Sequence, residues 1–326
     1  MLIGAIDAGG SKVLTAVMKA DGTVLARCRD AVPTADVAAY FARCAEMLAV
    51  CAREAKTRVE DLRGVGVNIP GMVTPDGRVL GSPSAGWGAF DARPLLANAP
   101  GFAGLPLFFE NDINACALAE KRFGGAGGDF IWVTVSNGCG GAVVADGRLV
   151  RGAANCAGEI GHVKVERQNP LPCGCGGYGC LEAHVSGPAI ARRAVAAGLP
   201  AGTDAKRCAE LARQGDPAAQ TIYDESGFWL GRALAVAANL LNPAGVYLGG
   251  GVSGALDLMM PGLQLALASD VLPQCRGMRV EPTRLGYEAA LMGAAAVCLE
   301  GMGLNLSAHK ASVFEPIKRM ESAHEI

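Results

Sequence analysis

The chain has 326 residues, a formal net charge of −2 and 51% hydrophobic residues. Near-neutral charge gives no electrostatic reason to hold nucleic acid or an anionic membrane, and no window offers the ~20 unbroken apolar residues of a membrane span. About twice the usual domain size, it suggests two domains or one large α/β unit. Its start, "MLIGAIDAGG", lacks the basic segment and long apolar core of a signal peptide, so a cytoplasmic protein is expected.

In chain order, "LIGAID" (2–7), "KVLTAVM" and "TVLARC" are apolar runs parted by "AGGSK" and by Asp21-Gly22. Such runs with glycine turns predict antiparallel strands. In "TADVAAYFARCAEMLAVCAREA", Val37, Phe41, Cys44, Leu48 and Cys51 recur at helical spacing, with Thr34 or Asp36 as N-cap. "VGVNIPG" and "LPLFFEND" read as strands and "INACALAEKRFG" as a helix. "FIWVTVSNGCGGAVVADGRLV" then repeats the opening plan of strand, glycine turn, strand, Asp-Gly turn, strand. The repeat predicts two lobes of related construction. A helix in "SGFWLGRALAVAANLLNP" stops at Pro243 and feeds the strand "GVYLGGGVSGA"; "GYEAALMGAAAVCLEG" is a late apolar helix, and a polar extension follows.

Three glycine turns have backbones that a phosphate or a flat ligand can approach closely: Asp7–Lys12, with Gly9, Gly10, Ser11 and Lys12; 136–141, with Ser136, Asn137, Gly138, Cys139 and Gly140; and Gly249, Gly250 and Gly251 between a strand and a helix. Together they point to a nucleotide. The first is not a P-loop, which needs a following helix. Asn111 and Asp112 lie between a strand and a helix; position alone favours a helix cap over a general base at a cleft mouth.

Nine of the twelve cysteines stand singly in apolar surroundings and read as reduced, buried small hydrophobes. Cys173, Cys175 and Cys180 cluster instead, with ten residues between His162 and Cys173. One imidazole and three thiolates make the four-ligand set of a closed structural zinc site. A Cys173–Cys175 disulfide would close a strained ring and leave an odd thiol. A redox pair prefers Cys-x-x-Cys, and an iron–sulfur cluster lacks a fourth nearby cysteine.

"GEIGHVKV" followed by "CGCGGYGCLE", with "DAGGSK", "NIPGMV", "END" and "LGGGVS", resembles the ROK family of sugar kinases and repressors over about residues 2–302. The resemblance implies an α/β, two-lobed actin-like (ribonuclease H-like) ATPase fold with its site in the cleft. The lobes would be residues 1–115 and 116–302, with the last helix packing back on the first lobe, and 303–326 an extension. It implies transfer of the ATP γ-phosphoryl group to a hexose hydroxyl, at O6 of glucose in the first instance. N-acetylglucosamine, N-acetylmannosamine and fructose are the alternatives. Asp112 then becomes the catalytic base, reversing the cap reading. Gly71, Asn111, Glu159, His162 and Glu182 would contact sugar, Asp7 would lie beside Mg²⁺, and relatives suggest a homodimer or homotetramer. Ser136-Asn137-Gly138 departs from the usual Gly-Thr-Gly, and Ser84 stands where relatives often carry asparagine. A repressor is disfavoured because no helix-turn-helix module precedes Asp7, and an iron–sulfur activase because His162 and an intact "END" are present.

Overall fold

The computed structural model describes residues 1–10, 12–33 and 35–304; Ser11, Thr34 and the extension from 305 onward lie outside them. The opening runs form β1 (Leu2–Ala8), β2 (Val13–Lys19) and β3 (Val24–Asp30), an antiparallel meander with Leu2 opposite Lys19 and Ala8 opposite Val13. Helix α1 (Val37–Glu54) is capped by Asp36, which accepts from the Ala39 N–H at 3.0 Å. Its helical stripe buries Phe41, Cys44, Leu48 and Cys51 against the sheet.

The chain continues through β4 (Val65–Ile69), β5 (Met72–Val73), β6 (Arg78–Gly81), β7 (Phe90–Asp91), α2 (Ala92–Ala97), β8 (Leu107–Asn111) and α3 (Asp112–Ala119). Strands β4 and β8 add in parallel beside β1, giving the order β3-β2-β1-β4-β8, while β5, β6 and β7 make a small separate sheet.

The second half repeats this plan. Strands β9 (Phe130–Val135), β10 (Cys139–Ala145) and β11 (Arg148–Val150) form the meander. After α4 (Glu182–Val185), α5 (Gly187–Ala196), α6 (Ala205–Arg213) and α7 (Pro217–Leu241) come β12 (Gly245–Gly249), α8 (Leu256–Asp270), β13 (Arg279–Pro282) and α9 (Ala289–Gly301). The sheet order is β11-β10-β9-β12-β13, with β12 and β13 added in parallel, the same topology as the first. The expected repeat is therefore one of strand connectivity.

α7 starts on the Asp216 cap and ends at Asn242, in the left-handed region, ahead of Pro243. The stretch Gly251–Asp270 is long and apolar enough to cross a membrane by length and composition, yet α8 buries Leu256, Met259 and Leu263 in the second lobe's core. Helix α9 sets Leu291, Ala294, Cys298 and Leu299 against Ile3, Ala5, Ala16 and Met18 of the first sheet. Of the nine lone cysteines, six are buried as expected, but Cys28, Cys156 and Cys275 are half-buried. Cys28 is on edge strand β3, and the other two lie outside the strands and long helices that form the core.

Candidate active site

Because β1, β4 and β8 run in parallel, their carboxyl ends share one edge of the first sheet, where α/β sheets hold ligands. The register sets Asp7 beside Asn68, and Ile69 beside Asn111. Asp7 is 7% exposed, and its carboxyl is pushed up to about 7, first by burial and then by the nearby Asp112 carboxylate. Lys12 pulls it the other way. The intervening turn is fixed by the Gly9 N–H donating to the Lys12 carbonyl (3.1 Å) and by the Tyr40 hydroxyl donating to the Gly9 carbonyl (2.7 Å).

At the end of β8 the cap and the acid separate into neighbouring residues. Asn111 is the N-cap of α3: its side-chain oxygen accepts from the Ile113 and Asn114 N–H groups (2.9 and 3.0 Å). Its amide nitrogen donates to the Gly71 carbonyl (2.9 Å) and to Asp112 Oδ1 (3.0 Å). Gly71 has φ 96°, and a Cβ there would collide with the Gly81 carbonyl. Asp112 occupies the first turn of α3, where an acid suits the helix dipole. Burial raises its carboxyl above the usual range, hydrogen bonds lower it, and Glu159 raises it further. Two buried carboxyls, both raised by burial and one of them, Asp7, raised further by the other, are suited to proton transfer and to a cation.

The facing edge belongs to the second sheet. In the 136–140 turn the Ser136 N–H donates to the Gly138 carbonyl (2.8 Å), and the Gly187 N–H to the Ser136 carbonyl (2.7 Å). Glu182 Oε2 accepts from the Cys139 N–H at 2.9 Å, so this carboxylate braces the hairpin in the ligand-free chain. The Gly249–Gly251 turn is adjacent, since Gly249 pairs with Thr134. The segment holding exposed Glu159 and half-buried His162 lies on β10, and a Cβ on Gly161 would overlap the Cys139 carbonyl.

Donor atoms of His162, Cys173, Cys175 and Cys180 all lie within 4.8 Å of one another. Cys175 and Cys180 sulfurs are 3.6 Å apart, and Cys173 Sγ is 3.8 Å from His162 Nδ1. With Zn–S near ~2.3 Å, a tetrahedron has edges of ~3.8 Å, so the cluster fits the ion. Lys164 Nζ sits 2.7 Å from Cys180 Sγ, a positive partner for a thiolate-rich centre. Cys173 Sγ is also 3.5 Å from Glu182 Oε1, which joins this loop to the 136–140 turn.

Glu110, Arg151, Lys164 and Tyr40 are contacts that sequence reasoning passed over. Glu110 had a signal, a charge in the apolar run "LPLFFEND"; the others had none at short range.

Two sheets of matching topology, with acids and a glycine turn at one set of strand ends and glycine turns at the other, define the class of two-lobed actin-like ATPase folds. The chain belongs to the ROK family, whose model matches residues 3–300. It is 33% identical over 320 residues to a glucokinase of Thermotoga maritima, covering 93% of this chain and 98% of that protein. It is also 33% identical over 297 residues to an N-acetylmannosamine kinase of Shigella flexneri, covering 90% and 97%. A ROK family glucokinase from Streptomyces griseus, solved in complex with glucose and AMPPNP, is 31% identical with a TM-score of 0.74, over 92% of this chain and all of that one.

Proposed function

We propose that this chain transfers the γ-phosphoryl group of ATP to a hexose hydroxyl, with O6 of glucose as the first acceptor. The observation that carries it is the buried Asp112, with its carboxyl held above the usual range, near Asp7 and next to Ile113, on which Gly140 of the 136–140 turn packs. A sugar hydroxyl holds its proton tightly at neutral pH. Asp112 accepts that proton as the oxygen attacks in line, a contribution of ~10²–10⁴ in rate. Backbone N–H groups of the 9–12, 136–140 and 249–251 turns position the nucleotide, and Asp7 lies where a Mg²⁺ accompanying ATP would be held.

Gly71, Asn111, Glu159, His162 and Glu182 are assigned to the sugar side. Asn111 and Glu182 then serve twice, since both brace the backbone without ligand. Zn²⁺ on His162, Cys173, Cys175 and Cys180 would supply structure only, fixing the loop between His162 and Glu182. The similarity to both glucokinases and an N-acetylmannosamine kinase keeps the N-acetylhexosamine as the second reading. Ser84, whose carbonyl abuts Gly10, is a candidate for tuning that choice. We assign the lobes to 1–115 and 116–302, the cytoplasm as location, and a homodimeric or homotetrameric state.

The test is ADP release across a panel of glucose, fructose, N-acetylglucosamine and N-acetylmannosamine, with the phosphorylated carbon identified by NMR. Highest catalytic efficiency on glucose with phosphate at carbon 6 is expected. Turnover of no hexose overturns the reading.

A further inference from the structure

β8 carries a carboxylate that this reaction leaves unused. Glu110 is 1% exposed, yet its partners come from both sheets. Oε1 accepts from the Asn111 N–H (3.0 Å) and from Asn114 Nδ2 (3.0 Å), on either side of Asp112. Oε2 accepts from Arg151 Nε at 2.7 Å. Arg151 directly follows β11, at the far edge of the second sheet. Its own carbonyl accepts from the Ala157 N–H (3.1 Å), two residues before Glu159. One ion pair, buried on the Glu110 side and half-buried on the Arg151 side, therefore joins the turn that carries Asp112 to the segment that carries Glu159.

Cohesion alone is a weak reason for such a pair, because apolar residues of similar volume often stabilise a fold as well or better. What a charge pair adds is direction. Glu110 spends every hydrogen bond on orienting the first turn of α3 or on Arg151.

We infer that Glu110 and Arg151 are positioning residues, which hold Asp112 in register with the Glu159 segment across the two lobes. This rests on the phosphotransfer reading, since it is through Asp112 that the pair would act. A displacement of about 1 Å in such a group lowers turnover by up to ~10²-fold.

The test compares Glu110→Gln, Arg151→Met, the double variant and Arg151→Lys, by steady-state kinetics and by hydrogen exchange of peptides covering 108–116 and 152–162. Each single change is expected to lower kcat ~10–100-fold while KM for ATP moves less than about twofold. Arg151→Lys should restore most of the loss, and the double variant should be no worse than the worse single one. Exchange should rise in both segments whichever partner is changed. Wild-type kcat in Arg151→Met, or exchange rising only beside the altered residue, overturns the inference. So does a loss shared equally by kcat and both KM values, without rescue by lysine. If Glu110→Gln does not fold, the Arg151 variants carry every arm. Should the wild type phosphorylate no hexose, the kinase reading fails, whereas the exchange arm still decides the coupling.

Discussion

The two sheets share one topology and differ in what their strand ends carry. In the first, β1 and β8 end on Asp7 and on Asn111-Asp112. In the second, β9 and β12 end on turns rich in glycine. Parallel addition beside an antiparallel meander brings strand ends to one edge in both sheets. The fold thus supplies the place twice, and side chains divide the labour. The buried acids sit on the first side, beside one glycine turn that follows Asp7, and the second side offers two further stretches of bare backbone that a phosphate can approach. The acid edge is held by buried hydrogen bonds, whereas residues 163–181 have no helix or strand apart from isolated bridges and are tied by a few backbone hydrogen bonds around the His/Cys cluster.

Removing the acid should break this division most severely. Asp112→Asn is expected to lower kcat by ~10²–10⁴, read by ADP release with glucose. Next comes the loop. Cys175→Ser should release zinc, measured by a chromogenic chelator, and weaken sugar binding ~10–100-fold with ATP binding nearly unchanged. Loss of ATP affinity alone would place the loop on the wrong side of the cleft.

A third effect concerns Asp7 and stability rather than turnover, and sharpens the comparison through pH. Its folded-state pKa of about 7 lies above the ordinary 3.8. Between those values the unfolded chain has released the proton and the folded chain still holds it, so stability falls as pH rises through the window. Asp7→Asn in the ligand-free protein should therefore gain over wild type from pH 5 to 8, by at most ~3 kcal/mol, in urea unfolding. A difference that stays constant with pH would mean that the carboxyl is not perturbed.

Much of this was legible because the signals are local. Asp36 before an apolar stripe marked α1, and paired glycine turns marked both meanders. The spacing of His162, Cys173, Cys175 and Cys180 predicts a cluster that the fold assembles. The cap reading at the end of β8 was correct for Asn111, which left Asp112 available for another role. What was not legible depends on distance along the chain or on very short elements. Glu110 finds Arg151 forty-one residues later, and β5 and β7 are two residues each, too short for alternation to show. Glu182 likewise gives no hint in sequence that its carboxylate caps the Cys139 N–H.

The most direct measurement is glucose binding by Asp112→Asn, followed by tryptophan fluorescence beside its turnover. The account predicts affinity within about threefold of wild type with turnover below ~1%. Turnover near the wild-type rate, with sugar bound normally, would contradict it.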